Sequence, residues 1–278
     1  MTTLTRETAE KLVASIGIPP RPAAVIAVQD EKAKADPNLK VIADAIARDV
    51  GLSAALLKTV NSALFGLPRQ VQSVPHAVNL LGVARVSTLV NSLALKTSLN
   101  TFGIERFWDQ STRTALLCGW LAGKMGHDRD LAHLFGLFRD AGIPLMMKRF
   151  PDYKDTLRLA NQPGADFAAI EDARHGVSHA QVGAIMARNW NLPGVIRDAI
   201  AHHHEPALFD DAKADLLERS LVALSHLAGV LEARHSRHQD DSEWVRFANP
   251  VLSLLMVGDE DLDELAAEAS SLLLDTGL

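Results

Sequence analysis

Arg139 and Asp140 stand side by side inside an otherwise apolar run, Leu134–Ile143 (Leu-Phe-Gly-Leu-Phe-Arg-Asp-Ala-Gly-Ile). The carboxylate of Asp140 can grip a cation. Arginine is a permanent cation with no lone pair to give, so Arg139 cannot ligate a metal and is suited instead to carboxylate or phosphate oxygens. The two residues are chain neighbours and project about 100° apart on a helix, so nothing local obliges them to bond to each other. Other sources of chemistry are missing. The chain has no Gly-x-Ser-x-Gly elbow, no Cys–His arrangement and no glycine loop of the phosphate-cradling kinds. Its single cysteine, Cys118, sits in the apolar stretch Ala115–Ala122 and reads as a buried small hydrophobe.

The elements that must hold these residues read as helices. In Leu39–Val50 the apolar positions Leu39, Ile42, Ala43, Ile46, Ala47 and Val50 recur at helical spacing, and Asp36-Pro37-Asn38 offers a capped start. A helix from Ser53 towards Phe65-Gly66 follows. A short one from Ser73-Val-Pro75 to Gly82 comes next, then a long one over Val83–Asn100. Beyond a seam near Thr101–Glu105, helices are expected over Trp108–Met125, Asp130–Phe138, from about Asp152, over His179–Trp190, Pro193–His203, Ala212–Ala233 and Asp259–Leu274. Gly142–Pro144 reads as a turn and the polar stretch Arg234–Ser242 as an exposed loop. No alternating strand pattern is present, so the fold class is all-α. Trp108, Trp120 and Trp190 are expected in the core, and Asn61-Ser62 is expected to serve backbone structure.

Composition narrows the function. The 278 residues are 47 % hydrophobic and 22 % charged, with aromatics at 5 %, which suits a helical core of small and aliphatic side chains. The net charge of -6, without a Lys or Arg run, argues against a nucleic-acid partner. The N-terminus does not read as a secretory signal. No stretch reaches the roughly 18 uninterrupted apolar residues of a membrane span. A cytoplasmic protein without a membrane partner is the expectation, and one cysteine fits a reducing compartment.

Ten blocks in order resemble the HD-related output domain family, HDOD. They are Ile18-Pro-Pro-Arg-Pro22, Ile46–Asp49, Leu52–Leu57, Val60–Gly66, Val74–Gly82, Phe107-Trp108, Gly136–Gly142, His179–Gly183, Trp190–Pro193 and Ala199–Pro206. The resemblance spans about residues 18–210 and extends weakly to Leu231. It implies an HD-like helical bundle with an N-terminal helical subdomain. The divisions are an N-terminal extension over 1–17, the N-terminal helical part over 18–104, and an HD-like part with C-terminal helices over 105–278. It also implies a bacterial signalling output module.

By the same resemblance, a working HD hydrolase would need a first histidine, a His-Asp pair, further histidines where there is a second metal, and a closing aspartate. Those places fall here on Gln110, Arg139-Asp140 and Gly229, so the basic site is degenerate. What survives is Asp140, His179 and the run His202-His203-His204, whose counterparts serve the second metal in two-metal relatives. Two readings follow. One holds a single residual divalent metal on Asp140, His179 and His203 or His204. The other, taken as the expectation, has no cofactor, with these groups hydrogen-bonded and Arg139 occupying the vacated cation position. The leading function is then a non-catalytic signal-transduction module acting on a protein partner in trans. The alternatives are a metal-dependent phosphohydrolase of nucleotides or cyclic dinucleotides, and a pseudoenzyme holding a phosphorylated ligand in a cleft near Arg139 and His175.

Overall fold

The computed structural model describes residues 15–61, 67, 70–99, 104–238 and 240–276. Residues 1–14, the Ser62–Gly66 part of one resembling block, and residues 101–103 of the expected seam lie outside these. All regular structure among the described residues is helical. The chain divides into two compact units, residues 20–100 with 271–278 and residues 101–270 with 1–19.

The first unit is built on one long helix. α1 (Ala23–Lys32), α2 (Leu39–Ala47) and α3 (Val50–Val60) each pack on α4 (Val74–Ser98). Asn38 starts α2 by accepting from the Lys40 and Val41 N–H groups, and Asp49 starts α3 by accepting from Leu52 N–H. Ile42, Ile46, Leu52, Leu56, Val78, Val86, Val90 and Leu95 are fully or almost fully buried between these helices. Each such side chain contributes about 1.5–3 kcal/mol. Gly82, at φ 70°, breaks α4 where the sequence placed a helix end. Among the described residues α4 is the one helix long and apolar enough to cross a membrane by length and composition, yet it is the helix on which α1–α3 pack.

Asn61 fastens the chain beyond α3. Its Nδ2 donates to the Leu57 and Val71 carbonyls at 2.9 and 2.8 Å, and its Oδ1 accepts from Val71 N–H at 2.7 Å. Asn61→Ala leaves two Val71 backbone groups without partners, and a loss of about 1–3 kcal/mol is expected in urea unfolding. A change below about 0.5 kcal/mol would mean that water serves these groups equally well.

The second unit layers α5 (Glu105–Lys124) against α6 (Arg129–Phe138) and α12 (Leu216–Arg237). Close approach is possible because Gly136 faces α5: a Cβ there would lie 2.7 Å from Cys118 Sγ and 3.0 Å from Ala115 Cα. The same unit holds α7 (Gly142–Arg149), α8 (Tyr153–Ala160), α9 (Phe167–His175), α10 (His179–Asn189), α11 (Gly194–His202), α13 (Trp244–Leu255) and, of α14 (Asp259–Thr276), the part up to Ser270. Trp108 and Trp190 are buried as expected, and the indole N–H of Trp190 donates to Pro19 O at 3.1 Å.

Four helices differ from the periodicity reading. α1, α9 and α13 form where the periodicity predicts no helix, and α13 carries Pro250 inside it. α7 begins at the supposed Gly142–Pro144 turn, because glycine and proline in a first turn need no intrahelical N–H bond. The Arg234–Ser242 loop is also shorter than expected, since α12 continues to Arg237 and reverses at His238 in the left-handed region.

Candidate metal and cleft site

The end of α6, the start of α10 and the end of α11 meet at one carboxylate. Asp140 follows α6, His179 opens α10, and His203 and His204 follow α11. A capping box between Ser178 and Gln181 fixes the first turn of α10 and so the direction of His179. One ligand atom from each of Asp140, His179, His203 and His204 lies within 4.8 Å of every other, and the three imidazoles are buried.

Each imidazole is anchored through Nδ1. His179 Nδ1 donates to Glu171 Oε2 at 2.7 Å, His203 Nδ1 to the Ile200 carbonyl at 2.7 Å, and His204 Nδ1 to Glu243 Oε2 at 2.6 Å. A carbonyl cannot donate and an ionised carboxylate accepts only, so the Nδ1 proton is fixed and the Nε2 atoms carry the lone pairs. Those Nε2 atoms converge. His179 and His203 lie 3.4 and 3.3 Å from Asp140 Oδ1, and the Nε2 atoms of His179 and His204 are 3.0 Å apart. Two lone pairs at that distance repel unless a cation, proton or metal, sits between them. Carboxylates behind the ligating imidazoles are the usual support of a metal centre, so the donor set fits a divalent ion.

Arg139 lies on the other side of Asp140. Its Nε donates to Asp140 Oδ2 at 3.0 Å and its Nη1 to Ser225 O at 3.0 Å. The neighbours therefore bond directly, because the helix ends at Arg139 and the chain turns. Gly229 is opposite: a Cβ there would be 3.8 and 3.9 Å from the two guanidinium nitrogens. Asp140 keeps 24 % of its side-chain exposure and Arg139 only 11 %.

Burial penalises every charge here, and the pairings decide which survive. Burial raises a carboxyl, yet Arg139, with His179 and His203, holds Asp140 well below the usual carboxylate range. Burial alone would depress His179, but the Glu171 carboxylate and the bonds to Asp140 and Glu171 lift it to about 10. Burial, reinforced by His203 and His179, pushes His204 well down. Without a metal, His179 carries the bridging proton. Glu171 is also bonded to the Tyr153 hydroxyl and to His179 N–H.

His226 supports the cluster from below. Its Nε2 donates to His203 O at 2.7 Å, its ring stacks 3.7 Å from Phe247, and burial pushes its pKa from 6.5 down to about 3. Below pH 6.5 the unfolded chain takes up a proton that the folded protein refuses. Stability therefore falls as pH drops from about 6.5 towards 3, at a slope approaching 1.4 kcal/mol per pH unit from this group. His226→Gln keeps a donor without the titration. Urea unfolding between pH 7 and 5 should show a flatter acid limb in this variant, and an unchanged slope would assign the loss to other groups.

A cleft of about 510 Å³ opens beside the cluster. Arg139, Asp140 and His204 reach it, with Gln110 on one wall and Lys154 and Phe167 on another. Of the residues singled out in sequence, Asp140, His179, His203, His204, Arg139 and Gly229 are brought together, while Gln110 stands in the cleft wall. His202 turns away to Glu218 at 2.7 Å. His175 does not reach the cleft, which corrects the expectation that it lines it. It bonds Thr156 Oγ1 at 2.7 Å and packs on Phe150 and Tyr153 instead. Glu171, Tyr153, Ser225, His226 and Glu243 were not anticipated. Glu171 lies in the unanticipated α9, and Glu243 follows a segment read as loop. No spacing or residue type in the sequence marks either glutamate for this task.

Comparison with known proteins places this arrangement. Residues 18–206 match the HDOD domain family. An uncharacterised protein of Treponema pallidum is 29 % identical over 204 residues, covering 70 % of this chain, and this chain spans about 40 % of that relative's length. In structure the chain is similar to a candidate phosphohydrolase from Shewanella amazonensis (TM-score 0.72, 23 % identity, 96 % of this chain and 95 % of that one). It is also similar to a candidate signal transduction protein from Marinobacter aquaeolei (TM-score 0.75, 23 % identity, 98 % and 65 %). The all-helical fold and the family match over most of the chain agree, and the protein belongs to the HDOD domain family.

Proposed function

We propose that this protein is a non-catalytic signalling module of the bacterial cytoplasm. It holds one divalent ion in its His/Asp cluster and relays state through a protein partner in trans. The observation that carries the reading is Arg139. Its guanidinium is bonded to Asp140 and Ser225 O and faces Gly229, so a permanent cation fills the side of Asp140 where a second ion would have to bind. Without a pair of ions there is no symmetric clamp for phosphoryl oxygens. A single cysteine, Cys118, buried and unable to form an intrachain disulfide, fits a reducing compartment.

Asp140, His179, His203 and His204 would hold the ion, which supplies the positive charge that the converging lone pairs require. Imidazole-rich donors suit zinc, iron, cobalt or nickel over magnesium or calcium. Glu171, the Ile200 carbonyl and Glu243 keep the rings oriented. Metal analysis of protein purified without chelator is expected to find one transition-metal ion per chain. Neither p-nitrophenyl phosphate nor its bis-ester is expected to turn over with added manganese, iron, nickel or magnesium. Two ions per chain, or turnover abolished by Asp140→Ala, would overturn the reading, and a metal-free protein would remove its ion.

The cleft favours one second reading, a small phosphorylated ligand bound without hydrolysis. Arg106, Arg139 and Lys154 lie along it, and Arg139 is the base set deepest, although the acids Glu105, Asp241 and Glu243 also line the cleft. Thermal shifts with nucleotides that vanish in Arg139→Ala support that reading, and a blank screen dismisses it.

A further inference from the structure

We infer that Glu243 is a positioning residue that ties the His/Asp cluster to a clasp at the cleft, formed by residues 164–167 and 240–247, so that ion occupancy tightens the clasp. The inference rests on the cation reading above. Four observations join these parts. Glu243 reaches His204 Nδ1 at 2.6 Å, and both residues line the cleft with Phe167, Asp241 and Ser242. The two segments hold each other: Gly164 N–H donates to Ser242 O at 2.9 Å, and Arg246 reaches Asp166 at 2.8 Å and Ala165 O at 3.4 Å. Phe167 packs on both His179 and His204, with ring centroids 4.7 and 5.1 Å away. Phe247, one turn after Glu243, stacks on His226, which bonds His203 O. Both histidines that follow α11 are thus in mechanical contact with the N-terminus of α13.

The direction of coupling follows from imidazole chemistry. A cation at Nε2 draws electron density from the ring, makes Nδ1–H a stronger donor and shortens its hold on a carboxylate behind it. For His204 that carboxylate is Glu243. Its backbone N–H is itself fixed on Asp241 Oδ1 at 3.1 Å, so a firmer side-chain bond firms the 240–247 segment. Through Ser242 O and Arg246 the same restraint passes to residues 164–167. In the absence of the ion, His204 keeps its bond to Glu243 but loses the polarisation that a divalent cation supplies, and the clasp loosens.

Cobalt(II) alone is the probe, because its visible absorption reports ligation while hydrogen exchange reports the clasp. In the full chain, cobalt is expected to slow amide exchange in peptides covering 164–167 and 240–247 together. Glu243→Ala should weaken cobalt binding by about 10–100-fold. At saturating cobalt it should also leave both segments exchanging as in the ion-free protein. Glu243→Gln, whose amide oxygen still accepts from Nδ1, should restore both effects in large part. If cobalt saturates the wild type without altering exchange, or if Glu243→Ala binds and protects like the wild type, the inference fails and the cation reading stands. If no cobalt is taken up, both fail. Should Glu243→Ala not fold, Glu243→Met, which keeps the length of the side chain without the acceptor oxygen, takes its place with the same two outcomes.

Discussion

Arg139→Ala, in chelator-treated protein, is expected to lose about 3–5 kcal/mol of stability in urea unfolding, the usual cost of stripping one partner from a largely buried ion pair. Asp140 would keep only His179 as a charged neighbour, and the Ser225 carbonyl would lose the Nη1 donor 3.0 Å away. Arg139→Lys should recover less than half, because an ammonium cannot present the planar fork that reaches Asp140 and Ser225 O together. Asp140→Asn should also destabilise, by leaving the guanidinium short of charge. The Arg139→Ala/Asp140→Asn double variant should then be more stable than the sum of the singles predicts, by at least about 1 kcal/mol for groups in contact. Zinc or nickel should return part of the Arg139→Ala loss, since a divalent ion beside Asp140 Oδ1 supplies the missing charge. If Arg139→Ala is neutral and metal has no effect on it, Arg139 is an exposed side chain resting on the surface, and the proposed reason for inactivity falls with it.

Much of this site could be read in the sequence, and what could not has a physical cause. Asp140, His179 and the histidine run are recognisable because metal-type chemistry restricts residue identity at each position. Arg139 and Gly229 stand out for the opposite reason: each lacks the lone pair that a ligand needs. The sequence could not say whether neighbouring Arg139 and Asp140 touch, since that depends on where α6 stops. Nor could it find Glu171 and Glu243. A carboxylate that orients an imidazole needs only to be an acceptor in reach of Nδ1, and nothing in a helix-length stretch marks one glutamate among others for that task. The helices tell the same story. α2, α3 and α12 announce themselves by apolar periodicity and capping residues. α9 and α13 are short or interrupted by Pro250 and owe their stability to tertiary contacts, Glu171 to His179 in one and Phe247 to His226 in the other. The stretch most polar in sequence, Arg234–Ser242, is tied down by ion pairs of Arg234 with Asp240 and of Arg237 with Asp241.

Three glycines around the site should respond to alanine in a fixed order, with Gly142 suffering most. A Cβ on Gly142 would lie 2.0 Å from the His179 carbonyl oxygen, 2.8 Å from its carbon and 3.0 Å from its Cα. All three are backbone atoms, so no rotamer change relieves the clash and α7 must move away from α10. Overpacking usually costs about 1–3 kcal/mol where side chains can yield, so a loss of about 3 kcal/mol or more is expected here. The displaced backbone is that of His179 itself, so Gly142→Ala should weaken metal binding as well as stability, although it touches no ligand atom. At Gly183 the nearest atom is Ile200 Cγ2 at 3.1 Å, the end of a side chain that can shift, and the cost should be smaller. At Gly229 nothing lies closer than 3.8 Å. Gly229→Ala should gain about 0.5–1 kcal/mol from helix propensity and leave the guanidinium where it is. Unfolding midpoints for the three variants, with cobalt affinity measured alongside, test the order. If Gly229→Ala proves as damaging as Gly142→Ala, then the space opposite Arg139 is not free, and the guanidinium is held by contacts other than those to Asp140 and Ser225.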